Sequence, residues 1–126
     1  MARVALVVDD SMLIRHTVCR FLEERGYAVE SATNGGEALE LLKTVLPDII
    51  ISDLVMPKMD GREFITKLKA GPHTANIPIV LLVGHRTASD GPDETRANFV
   101  IYKDIEIESQ LNKCLVSLLG EIVPQD

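Results

Sequence analysis

Pro47-Asp48-Ile49-Ile50-Ile51-Ser52-Asp53-Leu54-Val55-Met56-Pro57 is the stretch around which this chain is organised. Ile49 to Ile51 are β-branched and show no polar alternation, so they read as a strand buried on both faces, as at the centre of a parallel sheet. The run ends abruptly in a carboxylate, Asp53, and the chain then breaks at Pro57 and at Asp60-Gly61. In an open α/β sheet the functional crevice lies off the carboxyl ends of such strands. Asp53 sits at that edge, and the other elements matter for what they aim at it.

Upstream, Arg3 to Val8 is an apolar run, read as the first strand, and it ends in Asp9-Asp10. Ser11 suits an N-cap. Ile14, Val18, Phe21 and Leu22 fall on one helical face, and Gly26 suits a C′ residue. Tyr27 to Ala32 reads as strand two and Asn34-Gly35-Gly36 as a turn. Glu37 to Leu46 reads as a second helix stopped by Pro47. Downstream, Gly61 to Ala70 is a third helix with Phe64, Ile65 and Leu68 inward. Pro78 to Val83 is strand four, and Phe99 to Tyr102 is strand five, ending at Lys103. Ile105 to Leu119 is a long amphipathic last helix, with Gly120 as its cap and a frayed tail from Pro124 to Asp126. Between strands four and five, His85 to Arg96 is polar and carries Gly91-Pro92, which argues against a long regular fourth helix.

Strands alternating with helices predict an α/β fold, a doubly wound five-stranded parallel sheet with helices on both faces. The right-handed crossover rule and this spacing suit the flavodoxin-like order 2-1-3-4-5. Strands one and three are then neighbours, so Asp9, Asp10 and Asp53 converge, and Lys103 reaches in from the edge. The 126 residues suit a single domain, 1–126. Apolar residues make up 46% and aromatics only 4%, so the core is aliphatic. A net charge of −6 argues against direct nucleic acid binding, which wants a basic stripe. No apolar run approaches the roughly 20 residues that span a membrane, and no signal peptide is visible. Cys19 and Cys114, on different helices, read as reduced thiols of a cytoplasmic protein.

Two like charges about 4 Å apart repel by about 4 kcal/mol at an effective dielectric near 20. Three acids in one crevice therefore call for cations. Lys103 supplies one charge, and a divalent ion with hard oxygen ligands, Mg²⁺, supplies two. Asp53 is then a candidate nucleophile toward a phosphoryl group, with Lys103 and Mg²⁺ neutralising its oxygens. The bland alternative, in which Asp9 or Asp10 caps a helix and Asp53 opens a turn, suits a single acid better than this constellation.

Val8-Asp9-Asp10-Ser11, the run Asp53-Leu54-Val55-Met56-Pro57-Lys58-Met59-Asp60-Gly61 and the late Lys103 resemble the receiver domain of two-component response regulators, over essentially the whole chain. The likeness is to stand-alone receivers of the chemotaxis-regulator type. It implies phosphorelay signal transduction, with Asp53 as the phosphoacceptor, an aspartyl phosphate supplied by a histidine kinase or phosphotransfer protein. It also implies Mg²⁺ held by Asp10, Asp53 and the Val55 carbonyl, Asp9 acting through water, and Lys103 touching the phosphoryl group. Such a domain is not an enzyme in the ordinary sense. No stretch reads as a DNA-binding or catalytic output domain, so a protein contact is the expected output.

Three positions depart from the family pattern. The hydroxyl residue at the end of strand four falls at Val83, and Gly84 next to it offers only a backbone N–H to the phosphoryl group. The aromatic switch position falls at Val100. The Pro that usually follows the lysine is Asp104, and a cis bond there would cost about 2.5–4 kcal/mol, so a trans bond or a rearranged loop is expected. Together these changes suggest that the phosphorylation pocket is kept while the switch is degenerate. The alternative is a pseudo-receiver, an interaction module indifferent to phosphate, which Val83 and Asp104 favour and Asp9, Asp10, Asp53 and Lys103 oppose. A phosphatase of the aspartate-nucleophile type would want an acid at Val55, and a flavin carrier would not place two acids after strand one.

Overall fold

The computed structural model describes residues 3–56, 59, 61–84, 97–103 and 106–119. Five strands form one parallel sheet: β1 (Val4–Val8), β2 (Ala28–Ala32), β3 (Ile49–Asp53), β4 (Ile79–Val83) and β5 (Phe99–Tyr102). Their order is β2-β1-β3-β4-β5, the doubly wound order that the spacing predicts. All five residues of β3 are buried, which is why its sequence shows no alternation. β2 lies at an edge and only Ala32 of its five residues is buried.

Four described helices cover the sheet: α1 (Met12–Glu24), α2 (Gly35–Leu41), α3 (Gly61–Ala70) and α4 (Ile107–Leu119). Because side chains of a strand alternate, β3 feeds two cores. Ile49 and Ile51 pack with Phe21 and Leu22 of α1 and Leu111 and Leu115 of α4. Ile50 packs with Ala38 of α2 and Phe64, Ile65 and Leu68 of α3. The largest fully buried side chains are two Phe and ten Leu or Ile, so the core is aliphatic as the composition requires.

The helix ends show how the local sequence sets the frame. Ser11 caps α1 by accepting from the Ile14 N–H at 3.3 Å. Gly26 ends it at φ 89°, with Gly26 N–H donating to Glu23 O and Tyr27 N–H to Leu22 O, a Schellman arrangement. The second helix differs from expectation at both ends. It begins at Gly35, because Asn34 is an N-cap that accepts from Glu37 N–H at 2.9 Å while Glu37 reaches back to the Thr33 N–H. It ends at Leu41, where Lys43 N–H to Glu40 O and Thr44 N–H to Leu41 O tighten the chain into turns ahead of Pro47. The last helix starts at Ile107, two residues later than the periodicity suggests. The expected irregular segment 85–96, and Gly120 with the tail after it, lie outside the described residues.

Candidate phosphoryl-transfer site

The register brings the site together. Val8 is the Cα partner of Ser52, so the carboxyl ends of β1 and β3 lie side by side. Asp9 follows β1 directly and is fully buried; Asp53 is the last residue of β3 and is 5% exposed. Asp10 is exposed beside them. One carboxylate oxygen from each of the three lies within 4.8 Å of the others.

Lys103 enters from β5. Its N–H donates to Val83 O on β4 at 2.8 Å, which anchors the end of the edge strand. Its Nζ then lies 3.1 Å from Asp9 Oδ2 and 3.1 Å from Asp53 Oδ1. The two roles weighed for Asp9 fall to different oxygens of one carboxylate. Oδ1 accepts from the Ser11 N–H at 2.8 Å and shapes the start of α1. Oδ2 is buried, meets the ammonium as an ion pair, and has no partner of hydrogen-bond geometry among the described residues. Three acids with one ammonium among them, their hard oxygens within 4.8 Å of one another, fit a divalent cation of the Mg²⁺ type or its water.

Burial pushes the Asp53 carboxyl above the usual carboxylate range, and the charge of Asp9 pushes the same way. The hydrogen bond and charge of Lys103, and the Val55 N–H, pull it back only in part. For Lys103, burial alone would lower the ammonium. Its hydrogen bond to Asp53 and the charges of Asp9 and Asp53 outweigh that, and it sits above its ordinary value. The lysine is therefore a fixed positive charge between two carboxylates.

The other expected site positions divide. Val55 is 74% exposed at the mouth of the site. Val83 ends β4 half-buried against the α2/α3 core, with Val100 packed on the same side. Gly84 is exposed, and a Cβ built on it would meet nothing within 4 Å among the described residues. Asp104 lies outside the described residues.

Two contributors were not legible as site residues. Arg15 Nη1 donates to the Asp9 carbonyl at 2.8 Å, tying α1 to the acid pair. Gly61 was readable as a breaker, but its role is closer packing. A Cβ there would lie 2.6 Å from Asp53 O and 2.8 Å from Leu54 Cα, and its N–H donates to Leu54 O at 2.7 Å. Only a glycine lets α3 start directly against the backbone of the acid.

Comparison with known proteins agrees with this geometry. A sequence model of the response regulator receiver domain matches residues 5–113. The chain is 37% identical over 86 residues to the response regulator Rre1 of Synechocystis, an alignment covering 68% of this chain and 37% of that protein's length. In structure it resembles the chemotaxis response regulator CheY4 of Vibrio cholerae, with TM-score 0.84 and 32% identity over 94% of this chain and 99% of that one. The receiver domain of the sensor histidine kinase PA1611 from Pseudomonas aeruginosa shares the fold at TM-score 0.85 and 20% identity, covering 96% of this chain and 100% of its own, and holds a magnesium ion in its cleft. Acids at the ends of β1 and β3, a lysine after β5, the 2-1-3-4-5 sheet and the match over most of its length agree on one assignment: the chain belongs to the response regulator receiver domain family of two-component signalling.

Proposed function

We propose that Asp53 is the phosphoacceptor of this receiver and that a histidine kinase or phosphotransfer protein is its donor. The observation that carries this reading is the single ammonium of Lys103 held 3.1 Å from both Asp53 Oδ1 and Asp9 Oδ2. A carboxylate oxygen of Asp53 attacks the phosphorus of a phosphohistidine. The N–P bond breaks, its electron pair stays on the imidazole, which takes a proton from solvent, and the new O–P bond leaves an acyl phosphate on Asp53. Lys103, already between the acids, balances negative charge spread over the phosphoryl oxygens. Asp10, Asp53, the Val55 carbonyl and, through water, Asp9 would hold Mg²⁺. Bound there, the ion would supply positive charge that draws a phosphoryl group toward three acids that otherwise repel it.

This receiver domain passes its state on through a protein contact. Two free thiols support a cytoplasmic setting. Among the described residues no helix is long and apolar enough to cross a membrane. The test is intact mass after incubation with Mg²⁺ and acetyl phosphate, for wild type and Asp53→Ala. One phosphoryl adduct on the wild type alone is the expected result. No adduct from acetyl phosphate or from a phosphohistidine donor sinks the reading in favour of a phosphate-indifferent module.

A further inference from the structure

Among the described residues β5 is an edge strand, with β4 on one side and no strand on the other. Lys103 turns its N–H inward to Val83 O. Backbone groups of successive strand residues alternate in direction, so those of Tyr102 face the open edge, where they need partners. Gln110, in the first turn of α4, supplies them. Its Oε1 accepts from the Tyr102 N–H at 3.0 Å and its Nε2 donates to the Tyr102 carbonyl at 2.8 Å. The carboxamide thus stands where the next strand's peptide would stand. The same Nε2 lies 3.2 Å from Glu106 O, so the clamp is built into the start of the helix.

From these contacts we infer that Gln110 is a positioning residue for Lys103. It grips both backbone groups of Tyr102, and the carbonyl it holds belongs to the peptide that leads into Lys103, whose N–H is held on the other side by Val83 O. The lysine's reach to Asp53 and Asp9 therefore rests on two anchors, one in β4 and one in α4. Val83 offers no side-chain hydroxyl to the site, and Val100 is no aromatic lever. Gln110 links the reacting centre and the last helix through side-chain hydrogen bonds. The importance of that link for phosphoryl transfer rests on the function proposed above; the positioning of Lys103 does not.

The test therefore reads Lys103 itself. Asp53→Asn displaces the Lys103 ¹³Cε resonance in the wild-type background, because Asp53 touches its ammonium. In a Gln110→Met background, which keeps the shape and loses both hydrogen bonds to Tyr102, that displacement falls about two-fold or more. The Ser109→Met control, one residue away on the exposed face, leaves it unchanged. Phosphorylation by acetyl phosphate in Mg²⁺ slows about ten-fold or more in Gln110→Met, as expected when a transition-state charge is misplaced. A folded Gln110→Met protein with the full Lys103 displacement overturns the inference. If that variant does not fold, Gln110→Glu replaces it; it keeps the acceptor for the Tyr102 N–H, loses the donor to the carbonyl, and must show a reduced displacement. A wild type that never gains a phosphoryl group would refute the functional reading alone, while the Lys103 resonance still decides this one.

Discussion

At the scale of single residues, Asp53 works against the stability of its own fold. Its carboxyl is held above the usual range by burial and by Asp9, so the charged form is disfavoured in the folded state. A carboxyl whose folded value is raised makes the folded protein bind more protons than the unfolded chain. The contribution of Asp53 to stability is then most favourable below the unfolded value, about 3.9, and declines as pH rises through the folded one. Asp53→Asn removes that loss. The variant should unfold at higher denaturant than wild type at pH 7, by about 1 kcal/mol, with the gap closing toward pH 3. Denaturation midpoints at the two pH values check it; equal midpoints at pH 7 would mean that Lys103 fully compensates the buried charge. Lys103 is the counterpart, and removing it would leave the fully buried Asp9 without its cation.

At the scale of elements, what the chain declared and what it hid separate along physical lines. β3 and its terminal acid were readable because five consecutive buried residues leave no room for polar alternation. α3 was readable to its ends because Gly61 and Gly71 bracket a periodic stretch. The 2-1-3-4-5 order followed from crossover rules, and with it the meeting of Asp9, Asp10 and Asp53. The start of α2 was missed because Asn34 reads equally as a turn residue and as a cap, and only the Glu37 bond to Thr33 decides between them. Arg15 and Gln110 were invisible for another reason. Each is a polar residue on a helix, and its partner, Asp9 O or the Tyr102 peptide, is known only once the tertiary structure sets the helix down. Gly61 lies between these cases, legible as a breaker and illegible as a contact. Its replacement tests the contact. In Gly61→Ala the new methyl meets backbone, which cannot swing aside as a side chain could. The expected cost is about 2 kcal/mol of stability from overpacking, together with weaker Mg²⁺ binding as the Asp53–Val55 turn shifts. Urea unfolding and a Mg²⁺ titration followed by amide shifts measure both. Loss of stability with unchanged Mg²⁺ affinity would show that α3 yields and the acid stays in place.

At the scale of the whole molecule, the question is how far a change at Asp53 travels. Two cores lie on opposite faces of the sheet, and they meet the site differently. On the α2/α3 side, Val83, Val100 and Ala97 are half-buried apolar residues that pack against the core of that face. Neither can make a directional bond to a phosphoryl group, so that face has no hydrogen-bonded lever at these positions. On the α1/α4 side, Lys103 is connected through Tyr102 and Gln110 to the first turn of α4. Adding beryllofluoride and Mg²⁺, a phosphoryl mimic with its cation, should therefore move amide resonances in a narrow pattern: residues 53–56, Gly84, Tyr102 and Lys103, and the first turn of α4. The remaining turns of α4, fixed by Leu111, Cys114 and Leu115 in the α1-side core, should stay put. Strong shifts over all of β5 and the whole of α4 would refute this picture of restricted coupling. Val83→Thr supplies the missing side-chain test. It exchanges one methyl for a hydroxyl at the end of β4, at a cost of about 1 kcal/mol for a half-buried polar group without a fixed partner. In the presence of the mimic that hydroxyl gains an acceptor, so the expected outcome is a response that extends to Val100 and Ala97. The same narrow pattern in Val83→Thr as in wild type would place the limit on transmission elsewhere than at Val83.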